Sequence, residues 1–384
     1  MSTLKVDAIR HNSATSDAIT TVADGTCTAK LTSVGGGQLS HRNLVINGAQ
    51  KICQRGNQTN ISTAANNYVT DRFALYENGG AAFSGLHQDS GTDLPEFPKC
   101  LRADCTTAST YTGTHEAKIA HYFEGQDLQH LNYGTASNQK LTLSFYVRSN
   151  QAATYAIWFY RGTGNRQNGK TYTINSANTW EKKTVTINGD ASSAMTNDNS
   201  GQFRIEWILM TGPSFTSGTN PNGTWETRVD ANRYAGHTAT IGANTNDYFD
   251  ITGVQLEVGD TSTSFEHRSF DTEYLRCCRY YQTTTYAQYG NTYNACGAYA
   301  GSSTSLQCAN LGFKTVMRTN PTVVFINWNS GTDHTVRNSL GTNTVLSSPT
   351  YYTMPHGVNA VGTSGGLSSG VWYQFNYTAD AEIT

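Results

Sequence analysis

The chain has 384 residues, 14% of them charged, and a formal net charge of −2 from 26 basic and 28 acidic side chains. A long coiled coil is excluded, since it would need abundant Glu, Lys and Leu, and the balanced charge lacks the basic surplus that nucleic-acid binding requires. Aromatic residues make up 11%, which is more than a disordered chain carries. No apolar run approaches the roughly 20 residues that span a bilayer. We therefore expect folded domains that neither bind nucleic acid nor insert into a membrane.

Residues 1–40 differ from the rest of the chain because they hold little apolar mass. Two strand-like runs, 3–10 and 18–22, precede the flexible triplet Gly35-Gly36-Gly37. Forty such residues cannot bury a core of their own, so we predict an extended N-terminal arm that attaches to other proteins. The apolar side chains expected to make this attachment are Leu4, Val6, Ile9, Ile19 and Val22.

Residues 41–268 carry strand signals at short intervals with no helical pattern between them. The runs 141–147, 203–209 and 249–258 alternate apolar and polar residues, so that each strand would bury one face and expose the other to water. Several such strands in succession predict a β-sandwich.

Residues 271–281 break this rhythm. Tyr274, Leu275, Cys278 and Tyr281 would share one face of a helix, so we predict a short linker helix within residues 269–282. Residues 283–384 return to strand signals, and about 100 residues suffice for a small domain. The predicted fold is all-β: an N-terminal arm, a sandwich, a short helix and a second small C-terminal β-domain that forms the distal tip.

No constellation of residues predicts catalysis, a metal site or a cofactor. The eight cysteines lack the paired spacing of structural zinc sites; we expect free, semi-buried thiols, although the adjacent Cys277 and Cys278 could form a strained disulfide. A glycoside hydrolase needs two carboxyl groups at a defined separation, and no pair of acids stands out. We therefore predict a protein without enzymatic activity.

A long loop between the strands near residues 209 and 249 is the better indication of function, because long ordered loops in a sandwich are usually functional. It contains Trp225, whose ring could stack on a sugar, or could instead pack the loop or a subunit interface. The strand-borne Trp158, Trp180, Trp207 and Trp372 are expected in the core. The predicted carbohydrate-binding residues are Trp225, Arg228, Tyr234 and His237 in this loop, and Trp328, Tyr351 and Tyr352 among the uncharged aromatic residues of the C-terminal domain.

Several motifs resemble β-sandwich proteins of tailed-bacteriophage virions, a group of tail-fibre and structural proteins with many relatives in marine cyanophages. The most specific is ITGVQLEVG at 251–259, followed by FEHR at 265–268 and CRYYQ at 278–282. The resemblance covers residues 1–282 and does not extend to 283–384. The remaining matching motifs are NLVINGA at 43–49, CQRG at 53–56, YVTDRF at 68–73, LSFYVRS at 143–149 and NTWEKKT at 178–184.

The resemblance implies a galactose-binding-like jelly roll in a virion appendage that is commonly homotrimeric. It transfers no binding residues, and it suggests an internal ion pair for Asp71 and Arg72. We accordingly expect a short tail fibre, assembled in the host cytoplasm, that attaches to other virion proteins (tail, neck or capsid) through residues 1–40 and contacts a host-surface glycan. A capsid or neck decoration with a purely structural role is the alternative, and a glycan depolymerase is a remote one.

Overall fold

The computed structural model describes residues 6, 8–9, 19–21, 23, 27–29, 41–284, 296–327, 331 and 333–383. Near the N-terminus, β1 (Ala8–Ile9), β2 (Ile19–Thr21) and β3 (Cys27–Ala29) form a small antiparallel sheet. The Thr21 hydroxyl donates a hydrogen bond of 2.9 Å to the carbonyl of Val6. A strand therefore forms inside each of the two runs that alternation indicated.

Residues 58–258 form a β-sandwich of two antiparallel sheets. One sheet has the strand order β13-β10-β16-β8-β7-β4 and the other the order β15-β12-β11-β14-β9-β6-β5. Because the chain passes repeatedly from one sheet to the other, the predicted jelly-roll sandwich is confirmed. Its strands are β4 (Gln58–Ile61), β5 (Asn67–Tyr68), β6 (Phe73–Glu77), β7 (Ala82–Asp89), β8 (Lys99–Thr107), β9 (Glu116–Glu124), β10 (Leu141–Ser149), β11 (Thr154–Arg161), β12 (Arg166–Thr173), β13 (Glu181–Ile187), β14 (Gly201–Thr211), β15 (Glu226–Thr227) and β16 (Tyr248–Val258). Short 3-10 helices lie at Gly125–Leu131, Pro213–Phe215 and Asp230–Asn232.

The core lies between the two sheets and is rich in aromatic rings. Phe145 of the six-stranded sheet meets Trp207 of the seven-stranded sheet edge to face, with ring centroids 5.9 Å apart. Burying a large apolar side chain contributes about 1.5–3 kcal/mol, and edge-to-face contact adds about 0.5–1.5 kcal/mol. Trp158 and Trp207 are fully buried, as predicted.

The outer faces of the sheets are less exposed than simple alternation predicted. Strand β16 is buried along almost its whole length, because its outward polar side chains have partners: Asp250 accepts hydrogen bonds from Arg102 at 2.7 Å and from Arg148 at 2.9 Å. On the other sheet, residues 213–237, which we call the covering loop, lie across the outward side chains of β11 and β14. Phe215 and Tyr234 of this loop pack on Trp158.

The predicted helix is present as α1 (Phe270–Cys278), but the residues expected to share one face differ in burial, since Cys278 is buried and Leu275 is exposed. Leu275 is 47% exposed, whereas Glu273 and Cys277 are buried. The reason is polar: the Glu273 carboxylate accepts a hydrogen bond of 2.5 Å from the backbone N–H of Asn47, which draws that side of the helix onto the sandwich.

The C-terminal strands form a second β-structure with its own core. The main sheet has the order β22-β21-β25-β18-β19-β24-β23, and β17 and β20 also pair with β25. Phe325 and Phe375 stack at its centre with centroids 3.7 Å apart. Its strands are β17 (Tyr281–Thr283), β18 (Cys296–Ser302), β19 (Ser305–Gly312), β20 (Thr322–Ile326), β21 (Thr335–Asn338), β22 (Asn343–Val345), β23 (Thr350–Met354), β24 (Gly357–Gly362) and β25 (Trp372–Asp380).

Buried ion pairs join the end of the chain to the sandwich. The Arg72 guanidinium is fully buried and pairs with Glu382, and Arg55 pairs with Asp380 at 2.9 Å. Asp71 instead accepts a hydrogen bond of 2.9 Å from the backbone N–H of Gln54. The expected pair between Asp71 and Arg72 is therefore wrong, because each side chain of this dipeptide has a partner elsewhere.

Candidate functional site

A cleft of about 440 Å³ opens on the outer face of the seven-stranded sheet. Its floor comes from the neighbouring strands β6, β9 and β14, and the segment 64–66 forms one wall. Strand register places the side chains, since Tyr76 lies opposite Lys118 and Arg204 lies opposite Tyr122. The lining residues are Ala64, Ala65, Asn66, Tyr76, Glu116, Lys118, Tyr122, Arg204 and Glu206.

Two glutamates and three basic side chains form a buried network beneath this cleft. The Lys118 ammonium lies 2.7 Å from Glu116 Oε1 and 3.2 Å from Glu206 Oε1. Arg204 Nε lies 3.0 Å from the same Glu206 oxygen. Arg233 of the covering loop lies 3.2 Å from Glu116 Oε2 and 3.7 Å from Glu206 Oε2. The floor is therefore rigid and polar, with both carboxylates held by cations.

This network keeps Glu206 ionised. Burial alone would raise the pKa of Glu206, but Lys118, Arg204 and Arg233 outweigh it and lower the pKa to about 2. The hydroxyl of Tyr234 donates to Glu116 at 2.5 Å and to Glu206 at 3.1 Å. Burial, and then the two carboxylates, raise the pKa of Tyr234, so the phenol keeps its proton and remains a donor.

On the β11 side of the cleft, aromatic rings pack against the Arg204 guanidinium. Trp158 and Tyr160 stack with centroids 5.0 Å apart. The Arg204 guanidinium lies 4.5 Å from the Tyr160 ring centroid, within cation–π range. Tyr160, Arg204 and Tyr122 are direct cross-strand neighbours, and the Tyr122 hydroxyl accepts a hydrogen bond of 2.9 Å from Asn66.

Two further cavities share residues with the cleft. One of 90 Å³ includes Tyr160 and Ile383 and shares Tyr122 and Arg204 with it. Another of about 470 Å³ lies where the C-terminal strands meet the sandwich, and it shares Asn66. The cleft is thus the first of three adjacent depressions along one side of the molecule.

The predicted carbohydrate residues of the covering loop do not form a site. Trp225 is only 7% exposed, and its indole N–H donates to the Asn188 carbonyl at 2.7 Å, so the prediction of a sugar platform was wrong. Tyr234 is fully buried beneath the cleft. His237 accepts a hydrogen bond of 3.1 Å from the Ala156 backbone N–H, and burial lowers the pKa of its ring to about 4. Of the four, Arg228 alone is near the cleft face with an accessible head, about 6.0 Å from the Tyr160 ring.

Strand alternation places the predicted sugar-binding tyrosines of the C-terminal domain on opposite faces of strand β23. Tyr351 points inward, where its hydroxyl accepts a hydrogen bond of 3.1 Å from the Phe325 backbone N–H, so its expected role in sugar binding was wrong. Tyr352 points outward and is 59% exposed, and Trp372, which was expected in the core, is 53% exposed. Trp328 lies outside the described residues.

The predicted attachment residues are described only in part. Val6 and Ile9 are exposed, and Ile19 is half-buried. Leu4 and Val22 lie outside the described residues. Exposed apolar side chains on so small a sheet are compatible with a surface that another protein covers, and attachment remains a prediction.

The sequence contained a signal for the cleft that was not recognised. Glu116, Lys118 and Tyr122 occur at even spacing along one strand, and Arg204 and Glu206 do so along another. Charged side chains two residues apart on a strand share one face. The side chains of the two strands lie on the same side of the sheet because β9 pairs with β14. A single sequence does not reveal this pairing.

The described parts of the chain offer few features of other kinds of site. There, no group of three or more His, Cys, Asp or Glu side chains is placed to hold a metal ion. No helix among those residues has the length and apolarity needed to cross a membrane. The cysteines whose side chains are described have free thiols, including Cys277 and Cys278, so these two form no disulfide.

No protein-family model matches this sequence, and no curated protein matches it. Among solved structures, the chain is similar to the enzymatically active domain of tailspike protein 4 from bacteriophage CBA120, with a TM-score of 0.30, 11% identity, and coverage of 56% of this chain and 21% of that one. The match thus spans about a fifth of the tailspike chain.

The chain is also similar to two carbohydrate-binding modules. One is the family 11 module from Clostridium thermocellum in complex with a β-1,3-1,4-mixed-linked tetrasaccharide (TM-score 0.27, 12% identity, 54% of this chain and 98% of that one). The other is TmCBM61 in complex with β-1,4-galactotriose (TM-score 0.25, 8% identity, 56% of this chain and 99% of that one). Likenesses this distant assign no ligand to the present chain.

Proposed function

We propose that this protein binds carbohydrate in the cleft on the seven-stranded sheet, as a non-enzymatic fibre of a tailed-phage virion. The observation that carries the binding proposal is the cleft itself: the half-buried ring of Tyr76 lies beside polar groups that the strands hold in fixed positions. Ligand sites combine apolar surface with a few precisely placed polar groups, and sites built on strands hold such groups better than loops do.

The chemistry of the cleft suits a sugar. Aromatic faces pack against the C–H groups of a pyranose ring, while Asn66 and Arg204 offer hydrogen-bond donors to its hydroxyls. The cleft is open along the sheet rather than enclosed, and the adjacent cavities share Asn66, Tyr122 and Arg204 with it. An oligosaccharide could therefore extend beyond one sugar unit.

The state of Glu206 favours binding over hydrolysis. A glycoside hydrolase needs a general acid whose pKa is raised towards neutrality, whereas the three cations around Glu206 lower its pKa to about 2. The tyrosine between Glu206 and Glu116 donates to both carboxylates, and this further stabilises the charged forms. These features support a binding site and give no support to a depolymerase.

The virion role is supported by the sequence motifs that resemble tailed-phage fibre proteins and by the small N-terminal sheet with its exposed Val6 and Ile9. In this proposal residues 1–40 attach the fibre to the particle, three copies assemble, and the sandwich meets a host-surface glycan. A capsid or neck decoration would use the same arm and need no glycan.

One observation favours a second binding surface in the C-terminal domain. Trp372 and Tyr299 are cross-strand partners on the outer face of the main sheet, with ring centroids 5.7 Å apart, and both are exposed. Tyr352 lies on the same face, opposite Ala360, which in turn lies opposite Gln307, the partner of Tyr299. An exposed row of rings could also bind sugar, so glycan binding by the C-terminal domain is a second candidate for the test.

The test is a glycan array probed with the wild-type protein and with variants. We expect Tyr76→Ala to weaken binding of the glycans found by at least about tenfold, or about 1.4 kcal/mol. Tyr146→Ala is the matched control, because Tyr146 is likewise half-buried and faces outward on the opposite sheet. Loss of binding in Trp372→Ala and not in Tyr76→Ala would move the site to the C-terminal domain, and a protein that binds no glycan would favour the decoration role.

A further inference from the structure

Arg204 is held in the cleft wall with part of its hydrogen-bonding capacity unused. Its Nε lies 3.0 Å from Glu206, and its flat face lies against Tyr160 and Trp158, at 4.5 and 5.1 Å from their centroids. Among the described residues, no protein acceptor binds its two terminal nitrogens, Nη1 and Nη2. The side chain is 26% exposed, and it lines both the cleft and the adjoining 90 Å³ cavity.

The charges around Arg204 do not balance. Four cations, Lys118, Arg204, Arg228 and Arg233, face three carboxylates: Glu116, Glu206 and Asp230, which lies 2.8 Å from Arg228 and 4.0 Å from Arg233. Lys118 and Arg233 have side chains 7% and 4% exposed, so their charges are enclosed, and the more exposed Arg228 is paired with Asp230. The unmatched positive charge therefore reaches the cleft at Arg204.

We propose that the glycan bound in the cleft is anionic and that its carboxylate binds the terminal nitrogens of Arg204. This inference rests on the proposed function and names the class of sugar: an acidic one, such as a uronate. A guanidinium presents two parallel N–H groups that match the two oxygens of a carboxylate. The rings of Tyr160 and Trp158 restrict the rotation of this guanidinium, and the Glu206 carboxylate 3.0 Å from Nε attracts it without a hydrogen bond, so the fork is partly oriented when the ligand arrives.

The neighbours of Arg204 suit the rest of such a sugar. Tyr122 lies directly across the strand pair from Arg204 but is 7% exposed, so the ring available to the pyranose is that of the half-buried Tyr76 in the same cleft. Asn66 already donates to the Tyr122 hydroxyl, which leaves its amide oxygen to accept a hydrogen bond from a sugar hydroxyl. Glu116 and Glu206 would repel the anion if they were unpaired, and their cations prevent this.

The experiment compares each array-positive acidic oligosaccharide with its carboxyl-reduced form, together with sulfated oligosaccharides as a second class of anion. Titration calorimetry should show that carboxyl reduction of the ligand raises the Kd of the wild-type protein by at least about tenfold. Arg204→Gln should weaken binding of the acidic form by the same factor and leave the reduced form unchanged. Arg204→Lys keeps the charge but not the two parallel N–H groups. Its Kd for the acidic form should therefore lie between those of the wild type and Arg204→Gln.

Arg148→Gln is the matched control. Arg148 also pairs with a buried carboxylate, Asp250, and lies over an aromatic ring, Trp180, but on the opposite sheet. Arg148→Gln should lose stability comparably to Arg204→Gln and leave the Kd values for the acidic and reduced forms unchanged. Thermal unfolding of each variant checks that the variant is folded.

Several results would overturn the inference. If carboxyl reduction leaves the Kd unchanged, if Arg204→Gln weakens both forms equally, or if sulfated oligosaccharides bind and uronates do not, the carboxylate assignment is wrong. If neutral glycans alone bind and Tyr76→Ala abolishes their binding, the inference fails while the proposed function stands. If no glycan binds, both fail.

Discussion

At the residue scale, the behaviour of the cleft depends on one buried carboxylate. Glu206 has no exposure to solvent, and three cations converge on it. A buried ion network of this kind adds little net stability compared with an apolar core, but removing one partner leaves charges uncompensated. Its contribution is better seen as fixing the position of Arg204, the side chain that faces a ligand.

We predict that Glu206→Gln destabilises the protein by about 3–5 kcal/mol at pH 7, because three cations lose their main counter-charge. The folded-state pKa of Glu206, about 2, lies below its ordinary value of 4.5. The stabilising effect is therefore complete above pH 4.5 and is lost as the pH falls towards 2. Urea unfolding at pH 7 and at pH 3 should show the difference between wild type and variant shrinking with acid. Glu96→Gln, at an exposed site, should show no difference at either pH.

His237 gives a second pH effect, at higher pH. Burial lowers the pKa of its ring from 6.5 to about 4, so the unfolded chain binds this proton more readily than the folded protein. Stability should therefore fall as the pH drops from 6.5 to 4, by up to about 3 kcal/mol from this residue. His237→Gln should flatten that part of the stability curve. An unchanged slope would mean that His237 is already protonated in the folded state.

Trp225 was predicted to bind sugar, and the structure assigns it to the core. It packs against Phe203 and Tyr133, with centroids 6.1 and 6.0 Å away. We predict that Trp225→Ala costs about 3–5 kcal/mol of unfolding free energy and leaves glycan affinity unchanged under conditions where the variant is folded. A lost affinity with intact stability would restore the original interpretation. The turn-rich sequence around Trp225 resembles an exposed loop, and only the tertiary position of the covering loop shows the burial.

At the element scale, the alternation of apolar and polar residues predicted the positions of the strands well and the burial of their outward side chains poorly. The predicted runs 141–147, 203–209 and 249–258 all lie within strands β10, β14 and β16, because period-two patterning follows directly from the pleat. Alternation could not show that the covering loop and paired charges bury the outward residues. The cleft was missed for the same reason: Tyr122, Arg204 and Tyr160 become neighbours only through the pairing of β9, β14 and β11.

The junction between the sandwich and the C-terminal strands depends on the pair formed by Arg72 and Glu382. Arg72 is fully buried, and its guanidinium lies 3.4 Å from the Tyr280 ring centroid. We predict that Glu382→Ala destabilises the protein by about 3–5 kcal/mol, because it leaves that charge without its carboxylate. Asp89→Ala removes an exposed pair with Lys99 and should leave the free energy of unfolding nearly unchanged, because solvent screens exposed pairs. Equal, small losses in chemical denaturation would mean that the junction pair is hydrated in solution.

At the scale of the whole molecule, most of the exposed large apolar side chains among the described residues lie in the C-terminal domain, and the others lie near the N-terminal sheet, in the covering loop and on α1. Val6 and Ile9 lie in the N-terminal sheet, and Tyr352, Met354 and Trp372 lie on the C-terminal sheet. A soluble monomer rarely leaves contiguous apolar patches uncovered. This distribution agrees with the proposed attachment at one end and either a subunit or a glycan contact at the other.

Homotrimeric assembly remains a prediction for the whole chain. Light scattering at micromolar concentration should give three times the chain mass of 41.8 kDa. A stable mass equal to one chain would exclude the trimer. Deletion of residues 1–40 should separate attachment from assembly, since the sandwich and the C-terminal strands have cores of their own.

The most direct test of carbohydrate binding in the cleft is a crystal structure of the protein with an array-identified oligosaccharide. The account predicts a sugar ring beside Tyr76, with an acidic group on the terminal nitrogens of Arg204. An oligosaccharide bound instead along Trp372 and Tyr352, with the cleft left empty, would contradict it.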